Sequence, residues 1–232
     1  YHNCHQELGR HGIDNYKIIT KIPKVPINEK NIDFIIQNQI KKACNDLNVS
    51  TIDTILLHRP DQLKDELGKN IIRSLEKHKR LGIINKIGIS IYNPSELVNI
   101  INFYNFDVVQ CPINIFDRRM QLSGWLKKLK ELDIEIHARS VFLQGLLLMK
   151  NNLIPNKFDR WSLLFKKWDD YNNNNIINKI KTSLKYVLSL NEVNKIVLGF
   201  QSENQLKEVS KLIKFLNCNF PETLYINDEM LL

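Results

Sequence analysis

Short runs of β-branched and aliphatic residues, each ending in a polar side chain, alternate along the chain with longer amphipathic stretches. The runs are "YKIITK" (16 to 21), "TILLH" (54 to 58), "KIGIS" (86 to 90), "VVQ" (108 to 110), "IEIHARS" (134 to 140) and "KIVLGF" (195 to 200). Their near-continuous apolar character predicts strands covered on both faces, as in a parallel sheet. Between them "NIDFIIQNQIKKACNDL", "LKDELGKNIIRSLEKHKRLG", "PSELVNIINFY", "SGWLKKLKELD" and "SENQLKEVSKLIKFL" carry apolar residues near i, i+3, i+4 and i+7, which predicts helices. Gly82, after the basic turn "KHKR", reads as a helix stop. Asp61 and Ser202 stand near N-cap positions, and Pro94 with Ser95 opens a helix.

This alternation fits either a doubly wound sheet or a (β/α) barrel. Lys21, His58, Ser90, Gln110 and Arg139 with Ser140 each fall at the C-terminal tip of a different predicted strand. In a parallel barrel such tips converge on one mouth, where barrels place their chemistry. In an open sheet only the tips beside the switch point would face a ligand. The polar tips therefore favour an α/β fold of the (β/α)8 TIM-barrel type, in a single domain over residues 1–232.

Composition narrows the function classes. With 43% hydrophobic and 25% charged residues, the chain has the balance of a globular protein. No stretch approaches the roughly 20 apolar residues of a membrane span, and "YHNCHQELGR" shows no signal-peptide pattern. Cys4, Cys44, Cys111 and Cys218 are scattered, which predicts reduced thiols and a cytoplasmic setting. The net charge of +8 is dispersed over "KKACND", "KHKRLG" and "LKKLKEL", so no nucleic-acid stripe is expected and an anionic cofactor is the better use of the charge.

Several segments, in order and spacing, resemble the aldo-keto reductase superfamily over nearly the whole chain. "YHNCHQELG" is similar to the family's Y-G-N-S-E-x-x-L-G stretch, "IITK" to its third strand and "IDTILLHRP" to its fourth. "LEKHKRLGIINKIGIS" resembles L-x-x-L-x-x-x-G-K-I-R-x-I-G-V-S, "DVVQCPINIFDRR" the D-x-x-Q-x-x-Y-N segment, and "IEIHARSVFLQGLLL" the seventh-strand Y-S-P-L-x-x-G-L-L. The resemblance implies reduction of an aldehyde, ketone or sugar carbonyl by NADPH or NADH. It also implies three members of a catalytic Asp, Tyr, Lys and His tetrad here: Tyr1, Lys21 and His58. In that family the tyrosine gives a proton to the carbonyl oxygen, a neighbouring cation makes the phenol a better acid, and the histidine orients the substrate. His58 would then end its strand because the strand delivers it to the reacting carbonyl. A rival reading is a non-catalytic nucleotide-binding subunit, or an inactive fragment of a reductase.

The resemblance carries over cofactor contacts residue by residue. Ser90 and Gln110 match the pair that bonds the nicotinamide carboxamide, but the expected asparagine is Ile91, leaving Asn93 or Asn114 as substitutes. Arg139 stands where a ring-stacking tyrosine is common, and Ser140, Phe142 and Gln144 fall in the loop that wraps the pyrophosphate. After the last strand, Gly199, Ser202 and Gln205 match the region that reads the adenosine end. The family favours NADP, yet Gln205 replaces the arginine that grips a 2′-phosphate and supplies neither its charge nor its fork. The family's acidic residue would precede Tyr1, and only the third to eighth strands are recognisable, which six strands cannot close into an eight-stranded barrel. The expectation is an N-terminally truncated stretch of a longer protein. The "RSVFLQGLLL" variant resembles subgroups tied to sugar metabolism.

Other features read as structural. His2, Cys4 and His5 lack the second spaced pair of a zinc site and lie inside the family-like stretch, so no metal is expected. His137 falls inside a strand and is expected to be packed. Trp161, Phe165 and Trp168 have the spacing of a core-facing helical stripe. "NNNN" at 172 to 175 reads as a loop insertion without chemistry.

Overall fold

The computed structural model describes residues 3–13, 15–26, 31–214, 216–228 and 230–231. In chain order the elements are α1 (Cys4–Arg10), β1 (Ile19–Ile22), α2 (Ile32–Leu47), β2 (Ile52–Leu57), α3 (Asp65–Arg80), β3 (Ile84–Ser90) and β4 (Val108–Pro112). They continue with α4 (Arg119–Leu122), α5 (Trp125–Glu131), β5 (Glu135–Arg139), α6 (Ser162–Tyr171), α7 (Ile176–Leu188), β6 (Val193–Ile196) and α8 (Glu203–Ile213). The strands form a six-stranded sheet whose order follows the chain, β1 to β6. This is the parallel, helix-connected α/β architecture that the alternation predicts. The chain divides into two compact units, Tyr1–Gln110 with Asp133–Glu135, and Cys111–Leu132 with Ile136–Leu232. Among the described residues no helix is long and apolar enough to cross a membrane.

In the first unit the pairing is parallel throughout, and the register aligns the strands row by row. Lys21 pairs with Leu56, Leu56 with Gly88 and Gly88 with Val108. One row further, Ile22, Leu57, Ile89 and Val109 are aligned, and beyond them Ser90 pairs with Gln110. Gly88 is required by this packing: a Cβ there would lie 2.5 Å from Leu56 Cδ2 and 2.5 Å from the Val108 carbonyl oxygen. Helix α2 buries Ile32, Ile36, Ile40, Ala43 and Leu47 on one stripe, and the Asn31 side chain caps it by accepting from the Phe34 N–H. Helix α3 is tied to it through Asp33, whose carboxylate accepts from Ser74 Oγ at 2.7 Å and Lys77 Nζ at 2.6 Å. Those donors hold the Asp33 carboxyl below the usual carboxylate range. The basic last turn of α3, Lys77 to Arg80, complements the helix dipole, and Gly82 follows with φ of 70° as the predicted stop. At the N-terminal ends of the strands, Asp107 accepts from Lys79 Nζ and from the Ile87 N–H, and Lys86 pairs with Glu135.

In the second unit Trp161, Phe165 and Trp168 are buried, as the spacing predicts, and Phe116 packs edge-on to Trp168. His137 is buried within β5. The asparagine run is a specific connector between helices. Asn172 is buried, donates to the Trp168 carbonyl and accepts from Thr182 Oγ1; Asn173 and Asn174 adopt left-handed φ, and Asn175 caps α7. Arg118 clasps the C-terminal segment by donating to the Pro221 and Glu222 carbonyls, while its guanidinium lies over the Tyr186 and Tyr225 rings.

Two predicted elements are cut back furthest in the structure. "PSELVNIINFY" keeps only a 3-10 turn at Pro94–Leu97, followed by turns in which the Ile100 and Ile101 N–H groups donate to the Leu97 carbonyl. Val98, Ile100 and Ile101 are stiff at χ1, and the two asparagines favour turns, so propensity does not carry the helix further. Of "KIVLGF" only Lys195 and Ile196 lie in β6, which begins at Val193.

Candidate functional site

The strand ends of the first unit bring four predicted residues together. Lys21 lies in β1 paired with Leu56, and the His58 N–H donates to the Ile22 carbonyl at 3.3 Å, so His58 directly follows the β2 row adjacent to β1. Because Leu57 pairs with Ile89, His58 stands level with Ser90, which itself pairs with Gln110. Strand side chains alternate between faces. Lys21, Leu56, His58, Gly88 and Ser90 therefore share one parity, and the site grows from one face of one sheet end. Tyr1 lies outside the described residues.

Burial separates their roles. Ser90 is 1% exposed and Gln110 is 4% exposed, whereas Lys21 is exposed and His58 half-buried. The Ser90 hydroxyl is buried and meets no hydrogen-bond partner among the described residues. Buried hydroxyls are normally satisfied, so this one fits a polar group brought from outside. The loop after β1 is fixed by Gln62, whose amide accepts from the Val25 N–H at 2.8 Å and donates to the Val25 carbonyl at 2.5 Å. His5 Nε2 and Thr20 Oγ1 are 2.8 Å apart, which engages this imidazole with β1; His2 lies outside the described residues.

His58 has a neighbour that sequence reading passes over. Tyr92 Oη lies 3.3 Å from His58 Nε2, with the rings tilted by 49° at a centroid distance of 6.3 Å. The backbone around it is fixed by a capping box: Glu96 Oε2 accepts from the Tyr92 and Asn93 N–H groups, and Asn93 Oδ1 accepts from the Ser95 N–H. The only sequence signal is an aromatic residue placed two positions beyond a strand-end serine.

The remaining predicted residues belong to the second unit. Arg139 ends β5, and its Nη1 donates to Ser140 Oγ at 3.0 Å. The following loop holds three non-glycine residues with positive φ, namely Ser140 at 58°, Leu143 at 47° and Gln144 at 55°. Non-glycine residues adopt this left-handed backbone region only rarely. Phe142 is half-buried beside it. Asn114 is 0% exposed and works structurally: its Oδ1 accepts from the Phe116 and Asp117 N–H groups and its Nδ2 donates to the Ser140 carbonyl. It is thus committed to shaping this loop. Gly199 is exposed beyond β6, whose extension is held by the Val197 N–H donating to the Ala138 carbonyl. Ser202 caps α8 by accepting from the Gln205 N–H, and Gln205 Oε1 accepts from the Gln201 N–H at 2.9 Å.

Known proteins share this fold. The structure is similar to the aldo-keto reductase AKR11C1 from Bacillus halodurans, in its apo form with a TM-score of 0.72 at 20% identity, covering 90% of this chain and 71% of that one. The holo form of the same protein gives a TM-score of 0.71 at 20% identity, with the same coverage of 90% and 71%. The glycerol dehydrogenase AKR11B4 from Gluconobacter oxydans gives 0.61 at 16% identity, covering 96% and 80%. At these identities the likeness concerns the fold alone. No curated protein matches the chain. The sequence model of the Aldo/keto reductase family matches residues 3–220, and the chain belongs to that family.

Proposed function

We propose that the protein reduces an aldehyde, ketone or sugar carbonyl to the alcohol with NADPH or NADH, and that both units belong to the single family domain. The observation that carries this reading is the alignment of Lys21, His58, Ser90 and Gln110 at one end of four parallel strands, in a chain of this family. The buried Ser90 hydroxyl fits a carboxamide partner, and Gln110 lies beside it in register. When bound, the nicotinamide supplies the hydride. Tyr1 is the proposed proton donor to the carbonyl oxygen, Lys21 the cation that makes a nearby phenol a stronger acid, and His58 the donor that holds that oxygen. Arg139, Ser140, Phe142 and Gln144 are proposed nucleotide contacts, supported by the left-handed loop, and Gly199, Ser202 and Gln205 contacts to the adenosine end. Gln205 carries no charge and its amide oxygen already serves the α8 cap, which supports weak discrimination between NADP and NAD. The free thiols support a cytoplasmic setting.

Steady-state oxidation of NADPH and NADH against a panel of aldehydes, ketones and aldoses tests the proposal. Carbonyl-dependent turnover is expected, and Lys21→Met and Tyr1→Phe each lower kcat by about 100-fold or more, the scale of lost acid catalysis. Saturable nucleotide binding without turnover on any carbonyl would instead assign the chain a non-catalytic binding role.

A further inference from the structure

We propose that Gln62 is a positioning residue of this site, a clamp that holds the strand end bearing Lys21 in fixed relation to the turn that follows His58. The proposal rests on the carbonyl-reducing reading above. Lys21 lies in a strand of four residues whose one strand neighbour among the described residues is β2. After Ile22 the chain runs through Pro23, Lys24, Val25 and Pro26, in which the prolines carry no N–H and hold the residues before them extended. Lys24 and Val25 therefore supply the only main-chain donors of this stretch. Gln62 accepts from the Val25 N–H and donates to the Val25 carbonyl, and both residues are buried, Val25 at 1% and Gln62 at 7% exposure.

The other half of the clamp is anchored separately. Gln62 sits in the 3-10 turn Pro60–Leu63, where its own N–H donates to the Arg59 carbonyl at 3.1 Å. The Leu63 carbonyl accepts from Tyr104 Oη at 3.1 Å, and a Cβ on Gly68 would lie 2.6 Å from the Leu63 carbonyl carbon, so α3 packs directly on this backbone. Val25 follows Lys21 by four positions and Gln62 follows His58 by four. With the His58 N–H on the Ile22 carbonyl, the two arms close into one hydrogen-bonded circuit. Cutting the circuit at Gln62 leaves the end of β1 able to shift while the turn after β2 stays anchored, and Lys21 then moves relative to His58. A misplacement of about 1 Å costs up to about 100-fold in rate. A phenol left farther from the Lys21 cation also returns towards its usual pKa. Reduction needs the protonated phenol, so the alkaline limb of kcat moves to higher pH.

The test follows kcat across neutral to alkaline pH, with NADPH and the fastest carbonyl of the panel above, in the wild type, Gln62→Met, Gln62→Glu and Ser74→Ala. Gln62→Met keeps the side-chain volume and loses both bonds; Gln62→Glu keeps the length and an oxygen to accept from the Val25 N–H. Ser74→Ala is the control for stability alone, because it breaks the tie to Asp33 on the helices outside the sheet. Circular dichroism melts check that each variant is folded. Gln62→Met is expected to lose about 10- to 100-fold in kcat with nucleotide affinity unchanged, and to move the alkaline limb upwards. Gln62→Glu recovers part of both effects, and Ser74→Ala lowers Tm while leaving kcat and the limb in place. A folded Gln62→Met with wild-type kcat and an unmoved limb overturns the proposal, and so does a Ser74→Ala chain that shows the same kinetic changes. Absence of wild-type turnover on every carbonyl of the panel is a different result: it removes the carbonyl-reducing reading itself, and the role of Gln62 with it.

Discussion

Gly88→Ala isolates the close packing that sets the strand rows of the site. The added Cβ would meet Leu56 Cδ2 at 2.5 Å, the Val108 carbonyl oxygen at 2.5 Å and Val108 Cβ at 2.9 Å. Ordinary carbon contacts lie near 3.5 to 4.0 Å, so about 1 Å must be found. Leu56 and Val108 are both fully buried, and one of the opposing atoms is backbone, so the gap opens only if β3 and β4 separate. Overpacking of this kind costs about 1–3 kcal/mol. Replacing glycine restricts the unfolded chain and returns about 0.4–1 kcal/mol. The net expectation is destabilisation by about 1–2 kcal/mol, a fall in Tm of about 2–8 °C at this chain length. Because Ser90 and Gln110 pair two rows beyond Gly88 in the same two strands, the proposed nucleotide binding is expected to weaken as well. Thermal melts followed by circular dichroism, with urea unfolding for the free energy, measure the first effect. A Tm unchanged or raised in Gly88→Ala would refute the packing argument.

Gln62→Ala removes both bonds to the Val25 main chain and leaves a buried N–H and carbonyl unpaired, which lowers stability by about 1–3 kcal/mol in urea unfolding. Arg118→Lys keeps the charge but loses the fork that serves the Pro221 and Glu222 carbonyls, so amide exchange in residues 219–228 accelerates while β1 to β3 are unaffected. Burial pushes the Cys111 thiol up to about 12 from a usual value of 9.0. As pH rises the unfolded chain gives up this proton first, so the contribution of Cys111 is intact below pH 9 and is lost between about 9 and 12, by at most about 1.4 kcal/mol per pH unit. Cys111→Ala should show a shallower loss of unfolding free energy between pH 8 and pH 10 than the parent chain.

The candidate site was legible where its signal is local. A polar residue closing an apolar run marks a strand tip, and His58 stands level with the paired Ser90 and Gln110, two rows beyond Lys21, because successive parallel strands pair in one register. The helical stripe of Trp161, Phe165 and Trp168 was equally readable from its spacing. Non-local partnerships left no such trace: Gln62 and Val25 are separated by 37 positions, and nothing in either neighbourhood announces the other. The left-handed run after β5 was hidden for another reason. Ser140, Leu143 and Gln144 are poor residues for positive φ, so only Gly145 hinted at the turn. Tyr92 escaped because an aromatic after a strand is common, and its meaning depends on a histidine 34 positions earlier. The asparagine run was the reverse case, where biased composition concealed a buried side chain and a helix cap.

Direct titration of the chain with NADPH and with NADH, alongside Ser90→Ala and Gln110→Ala, tests the central claim most directly. Saturable binding by the wild type, weakened about 2- to 12-fold in each variant by the loss of one hydrogen bond, is the expected result. Wild-type binding that neither substitution alters, or no binding of either nucleotide, would contradict a nicotinamide site at these strand ends.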